Sequence, residues 1–284
     1  MTDDGTTLNI RTVLFVPGDR PERFDKALAS GAHLVCIDLE DAVAPEQKDA
    51  ARKAALAYLL DHASDALSVR INRVGSRSGL ADLLAIADVR PRLPYILIPK
   101  VESVAKLDVV ARALESLHIG LIPLIESVAG LAEVTAVSAA RHCAAVMFGG
   151  HDFASELGAN MEWEPLLTAR SMIAYACARA GVLAIDAPFI AIKDLVGLEH
   201  EARRARALGF EAKAAIHPAQ IETIHKVYRP TDAEIDEARD AISAFQKSIA
   251  SAVQFRGRLL DKPMIRKYER TLACAGGIVP EGDS

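Results

Sequence analysis

Aromatic residues make up only 5% of this 284-residue chain, although 51% of its residues are hydrophobic. A core so poor in rings is built from Ala, Val, Leu and Ile, which suits parallel strands covered by helices. Cysteine is equally sparse. Cys36, Cys143, Cys177 and Cys274 form no C-x-x-C pair, which argues against a thiol metal cage, and Cys36 and Cys143 read as buried thiols. No apolar stretch reaches the roughly 18 residues of a membrane-spanning helix. The opening MTDDGTTLNI is polar and acidic, unlike a secretory signal, so a reducing cytoplasm is the expected compartment. Basic charge is not in excess: 33 Lys and Arg against 38 Asp and Glu give a net charge of −5. That argues against a nucleic-acid partner held by bulk charge.

What the chain does have is eight short apolar runs, each closing on polar or charged residues. They are Val13–Pro17, Leu34–Asp41, Leu67–Asn72, Tyr95–Lys100, Gly120–Glu126, Ala144–Asp152, Leu183–Phe189 and Ala212–Pro218. Most of the gaps carry amphipathic helical patterns: Glu22–Ser30, Pro45–His62, Gly79–Asp88, Val104–Leu117, Val128–His142 and Pro165–Ala180. Little strict alternation within the runs fits strands buried on both faces. The fold class is therefore α/β, a (β/α)8 TIM barrel over residues 1–230, with a C-terminal helical extension over 231–284. In the extension, Thr231–Val253 reads as one long charged helix, Phe255–Pro263 as a turn and Met264–Ala275 as a second helix, with a frayed tail. A helical appendage of this kind often packs on a neighbouring subunit, so a homo-oligomer is expected.

In such a barrel, reactive side chains collect at the carboxyl ends of the strands. Those ends here carry Asp38, Glu40, Asp41, Arg70, Lys100, Glu126 and Asp152. Alternation places Asp38 and Glu40 toward the barrel interior and Asp41 on the opposite face. Three carboxylates so close need a cation or hydrogen-bond donors, or else they bind loop amides. Glu126 and Asp152 close neighbouring runs and can share one ion. Two oxygens plus waters describe a Mg²⁺ site, Mn²⁺ being an alternative, whereas zinc is disfavoured without clustered His or Cys. The competing readings are helix capping for Glu126 and an Asx turn for Asp152. Arg70, at the end of an apolar run, needs an acid or a ligand; its planar fork suits a carboxylate or a developing enolate oxygen. It can equally pair with Glu40 or Asp38. After the first run, Arg20, Arg23 and Lys26 offer either an anion site or a solvated basic face. His217 either lines the pocket or packs structurally. Pro99–Leu107 and Pro123–Leu131 echo one another, setting Glu102 and Glu126 at equivalent points.

These residues resemble the HpcH/HpaI aldolase and citrate lyase β-subunit family, in particular its CitE-like branch. The resemblance is carried by LFVPGDRPERFDKAL (14–28), IDLEDAVAPEQKDAAR (37–52), VRIN (69–72), IPKVES (98–103), PLIES (123–127), FGGHDFASELG (148–158), IDAPF (185–189) and AIHPAQ (215–220). It implies a metal-dependent lyase acting on citramalyl, malyl or citryl thioesters. By motif, Glu126 and Asp152 match the Mg²⁺ ligands, with Glu126 also on the substrate side, and Arg70 matches the substrate arginine. Glu40 and Asp41 match acids around metal-bound waters. Phe15, Arg20 and Lys26 match positions that hold coenzyme A. Asp261 matches an aspartate that enters a neighbouring subunit's site, in trimers or multiples of them. His151 departs from the acidic or small residue of many relatives, and Gly257–Asp261 is a looser match. The resemblance also allows a β subunit of a citrate lyase complex acting on an acyl carrier protein, or a malyl-CoA thioesterase.

Overall fold

In the computed structural model, which describes residues 10–247 and 252–275, the eight apolar runs become eight parallel strands closed into a barrel. They are β1 (Thr12–Pro17), β2 (Leu34–Asp38), β3 (Leu67–Arg70), β4 (Tyr95–Ile98), β5 (Gly120–Ile125), β6 (Ala145–Phe148), β7 (Leu183–Asp186) and β8 (Ala212–Ala215). Alternate side chains fill the lumen, among them Val13, Cys36, Leu97, Leu124, Met147 and Ile185. The intervening positions, such as Leu14, Val35, Val69 and Ile96, pack outward under the helices. Burying both faces of every strand is what the Val, Ile and Leu content makes favourable, at about 1.5–3 kcal/mol per large side chain removed from water.

Most strands stop before the apolar runs do. β2 ends at Asp38, so Glu40 and Asp41 lie in the loop that follows, outside strand alternation. β6 ends at Phe148 because Gly149 and Gly150 turn the chain directly into the helix Gly150–Leu157, whose first turn carries Asp152. That helix replaces the carboxyl half of the expected Ala144–Asp152 run. Val128–His142 forms two short helices, Val128–Ala132 and Val134–Ser138; nothing in the structure explains the break. Among the described residues, no helix is long and apolar enough to cross a membrane. Cys36, Cys143 and Cys177 are free thiols and buried.

The chain divides into two compact units after Tyr228. In the second, the Thr231 hydroxyl and the Glu234 carboxylate form a reciprocal capping box that starts the helix Asp232–Gln246. The expected helix to Val253 and turn from Phe255 are corrected here. Ala252–Phe255 and Arg258–Asp261 pair as an antiparallel hairpin, β9 and β10, before the helix Lys262–Cys274. Ile242, Leu260 and Leu272 share this unit's own small core. The expected frayed tail lies outside the described residues.

Candidate active site

Register brings the first charged pair together. Asp38 on β2 stands opposite Arg70 on β3, both at the carboxyl end and both facing inward. Arg70 Nε and Nη2 donate to the two Asp38 oxygens at 2.7 and 2.6 Å. The same Asp38 oxygens accept from the amides of Glu40 and Ala42, at 2.9 and 3.2 Å, which fixes the loop after β2. Asp38 thus does the work of binding loop amides. Arg70 keeps Nη1 for the mouth, 3.1 Å from Glu40 Oε2 and 3.9 Å from both Asp41 Oδ2 and Glu126 Oε1. Its guanidinium lies 5.1 Å over the Phe15 ring. Burial alone would lower the pKa of Arg70, but Asp38, Glu40 and Glu126 outweigh it and hold it above its ordinary value.

Glu126 follows β5 and is buried, with 5% exposure. It does not cap the next helix; Ser127 does, accepting from the Gly130 amide at 3.0 Å. Glu126 Oε2 instead accepts from the Lys100 amide at 3.1 Å. A Cβ at Gly149 would stand 2.1 Å from Glu126 Cγ, so glycine there is what lets this carboxylate occupy its place. Burial pushes the Glu126 carboxyl up to about 8; Arg70 opposes this while Glu40 and Asp152 add to it. Burial likewise raises Glu40. In its neighbour Asp41, burial raises the pKa, but the adjacent Glu40 and the charges of Arg70 and Lys100 overcome it and lower the pKa.

Asp41 does not face away from the site as alternation predicts. The loop returns it to the mouth, where its Oδ1 lies 3.3 Å from Lys100 Nζ. Lys100 also reaches Glu40 Oε1 at 2.9 Å and Asp152 Oδ2 at 3.5 Å. Lys48, from the following helix, donates to the carbonyls of Leu39 and Glu40. The roles of Lys48 and Lys100 are the ones sequence reasoning missed. Their only signal is a lysine near an acidic cluster. Glu40 Oε2 is buried without a hydrogen-bond partner, its 3.1 Å approach to Arg70 lacking hydrogen-bond geometry. Among the described residues, no three His, Cys, Asp or Glu side chains form a ready metal cage.

A cavity of about 450 Å³ opens here, lined by Phe15, Arg70, Asp41, Glu126, His151 and Asp152 together with apolar residues such as Met147 and Ile216. Arg20 and Lys26 are not among its lining residues. Arg20 is exposed, 3.9 Å from Asp19, and Lys26 is exposed in the helix Phe24–Leu28. His217 is an exposed cap whose Nδ1 accepts from the Ala219 amide at 3.1 Å. Glu102 is not equivalent to Glu126: it pairs with Lys106 and Arg73 and is 34% exposed. The echo fails because the two strands end at different points of the repeat, β4 before Pro99 and β5 after Pro123. Asp261 lies in the second unit, at the start of the helix Lys262–Cys274, where it accepts from the Met264 amide at 3.1 Å.

A closed barrel with acids and one locked arginine at its carboxyl mouth is the layout of a TIM-barrel enzyme. Residues 11–218 match the model of the HpcH/HpaI aldolase/citrate lyase family, and the chain belongs to that family. It is 35% identical over 275 residues to a citrate lyase subunit beta-like protein of Mycobacterium tuberculosis, covering 94% of this chain and 96% of that one. It is 33% identical over 293 residues to the L-malyl-CoA/beta-methylmalyl-CoA lyase of Rhodobacter capsulatus, covering 91% and 92%. The crystal structure of CitE from M. tuberculosis in complex with magnesium, acetoacetate and coenzyme A superposes with a TM-score of 0.80 at 34% identity, covering 95% of this chain and 100% of that one.

Proposed function

We propose that this chain is a Mg²⁺-dependent carbon–carbon lyase that cleaves a 3-hydroxy-3-carboxyacyl-coenzyme A into a 2-keto acid and an acyl thioester. The observation that carries the reading is the shared mouth: Arg70, locked along one edge by Asp38, turns Nη1 toward the cavity that Glu126 and Asp152 line. The relatives support it, one named as a malyl-CoA lyase and one solved with magnesium and coenzyme A. The residues also fit the ion. Glu126 and Asp152 offer hard oxygens, the buried Glu40 Oε2 lacks a hydrogen-bond partner, and Gly149 leaves the carboxylate its room. Glu126 and Asp152 would hold Mg²⁺, which as a Lewis acid polarises the oxygens of the substrate's hydroxyl and carboxylate.

The chain's own residues supply the rest. Glu40, raised by burial, takes the hydroxyl proton. As the bond to the thioester's α-carbon breaks, its electron pair moves onto the thioester as an enolate, and the former hydroxyl carbon becomes the keto carbon. Arg70 Nη1 stabilises the negative charge spreading over the oxygens, and the Asp38 lock means little reorganisation is needed. Asp261 of a second subunit returns a proton to the enolate carbon, an assignment supported by its motif. Phe15, which lines the cavity, and Arg20 and Lys26, on the exposed surface, are assigned to holding coenzyme A. The assembly is a homotrimer or a multiple of it, acting in the cytoplasm. The buried free thiols of Cys36, Cys143 and Cys177 support that compartment.

One assay tests this. The protein is incubated with Mg²⁺ and citramalyl-, malyl- and citryl-CoA, and separately with a citryl-loaded acyl carrier protein, while keto acid and free thiol are measured together. Keto acid without thiol is expected. Thiol without keto acid would make the enzyme a thioesterase, and turnover only on an acyl carrier protein would make it a citrate lyase subunit.

A further inference from the structure

Lys100 stands in the mouth without a part in the chemistry derived above. It follows β4 with φ +52°, in the left-handed region that an L side chain rarely adopts. Such a conformation persists where surrounding contacts hold it, and it is found most often at functional sites. Here the turn serves two contacts at once. The Lys100 amide donates to Glu126 Oε2 at 3.1 Å, and its ammonium lies 2.9 Å from Glu40 Oε1, 3.3 Å from Asp41 Oδ1 and 3.5 Å from Asp152 Oδ2. Arg70 has committed Nε and Nη2 to Asp38, and among the described residues Lys100 is the cation that reaches Asp152.

We infer that Lys100 is a placeholder cation: its ammonium holds the metal-free carboxylate cluster together and is displaced from Asp152 when a divalent ion binds, so that Lys100 sets the affinity for that ion. The inference rests on the metal reading above. Without a counter-ion, Glu40, Asp41 and Asp152 would repel one another and splay. With a divalent ion on Asp152, the ammonium would face a like charge at short range, a repulsion that the partly desolvated mouth screens poorly. A four-carbon stem, with the side chain 33% exposed, lets the ammonium move out to water. The cost of that displacement weakens ion binding, and the occupied cluster keeps the empty site in shape.

The test uses the full chain stripped with EDTA, with Mn²⁺ titrated by electron paramagnetic resonance and Mg²⁺ by calorimetry. Lys100→Met is expected to bind either ion roughly tenfold or more tightly than the parent protein. Lys100→Arg, which keeps the charge, should stay near the parent affinity. In EDTA, Lys100→Met should melt below the parent and regain the difference in saturating Mg²⁺. Should Lys100→Met fail to fold, Lys100→Gln carries the same expectation. Unchanged or weaker binding by the uncharged variants overturns the inference. Glu126→Gln separates the two readings: if it abolishes binding while Lys100→Met leaves the affinity unchanged, the metal site stands and the placeholder falls. If the parent binds neither ion, tight binding by Lys100→Met supports the placeholder and no binding removes both.

Discussion

Glu126 carries a cost that its place in the barrel explains. It is 5% exposed, its carboxyl is pushed up by burial, and its nearest cation, Arg70 Nη1, is 3.9 Å away. Such a group is maintained against stability, as functional acids often are. Glu126→Gln is therefore expected to remove turnover by at least about 10²-fold, because the proposed ion would lose one ligand. In EDTA the same variant should be more stable by about 1–2 kcal/mol, measured by urea denaturation. Lost activity with lower metal-free stability would mean that Glu126 is a structural acid. The charged residues that end apolar runs, namely Asp38, Arg70 and Glu126, were legible in the sequence because a buried charge on a strand needs a reason. Asp41 and Lys100 were read at the mouth too, but the direction of Asp41 and the contacts of Lys100 were not, because these side chains go where a loop sends them. Alternation stops at Asp38, and the left-handed turn at Lys100 leaves no pattern in a lysine flanked by Pro99 and Val101.

Elements show the same division. The barrel strands were legible within a few residues, since burial on both faces writes an apolar run whatever the loops do. The hairpin of β9 and β10 was missed because its residues follow a charged helical pattern and its apolar runs are only a few residues long: Leu259 is exposed and Leu260 buried. Its signal is the pair Arg256-Gly257, both at positive φ (46° and 77°), a two-residue loop that matches the twist of the flanking strands. A Cβ at Gly257 would meet nothing within 4 Å, so a substitution there tests the backbone alone. Gly257→Ala is expected to destabilise the hairpin by about 1 kcal/mol. Hydrogen exchange at 252–261 should accelerate about fivefold, with the barrel strands unchanged. Exchange as slow as in the parent would show that the loop tolerates an L residue there.

At the scale of the whole molecule, the closed barrel could be read from its punctuation, but the charges sealed between strands and helices could not. Lys213 on β8 and Asp186 on β7 are register partners with no exposure, joined at 2.6 Å. Arg170 donates to the other Asp186 oxygen at 2.8 Å, and Lys213 also reaches Glu201 at 2.7 Å. Lys213 lies between alanines in the sequence, where nothing announces a buried ion pair. Lys213→Met leaves Asp186 short of a partner and is expected to cost about 3–5 kcal/mol in urea denaturation. A loss under about 1 kcal/mol would show that Arg170 suffices. At the amino end of the barrel a half-buried histidine predicts how the fold responds to acid. His33 Nδ1 lies 3.0 Å from His225 Nε2 and 3.2 Å from Thr12 Oγ1. Burial, the facing His225 and the charge of Arg11 lower the His33 pKa to about 4. The folded state therefore resists a proton that the unfolded chain accepts near pH 6.5. Between those values the unfolded state binds more protons, so stability rises with pH and is lost as pH falls from about 6.5 toward 4. The ring is partly exposed, so screening reduces the effect: from pH 7 to 5 the parent should lose about 1 kcal/mol more than His33→Gln. Urea denaturation of both proteins at the two pH values measures it, and parallel losses would show that His33 pays no penalty for protonation in the fold.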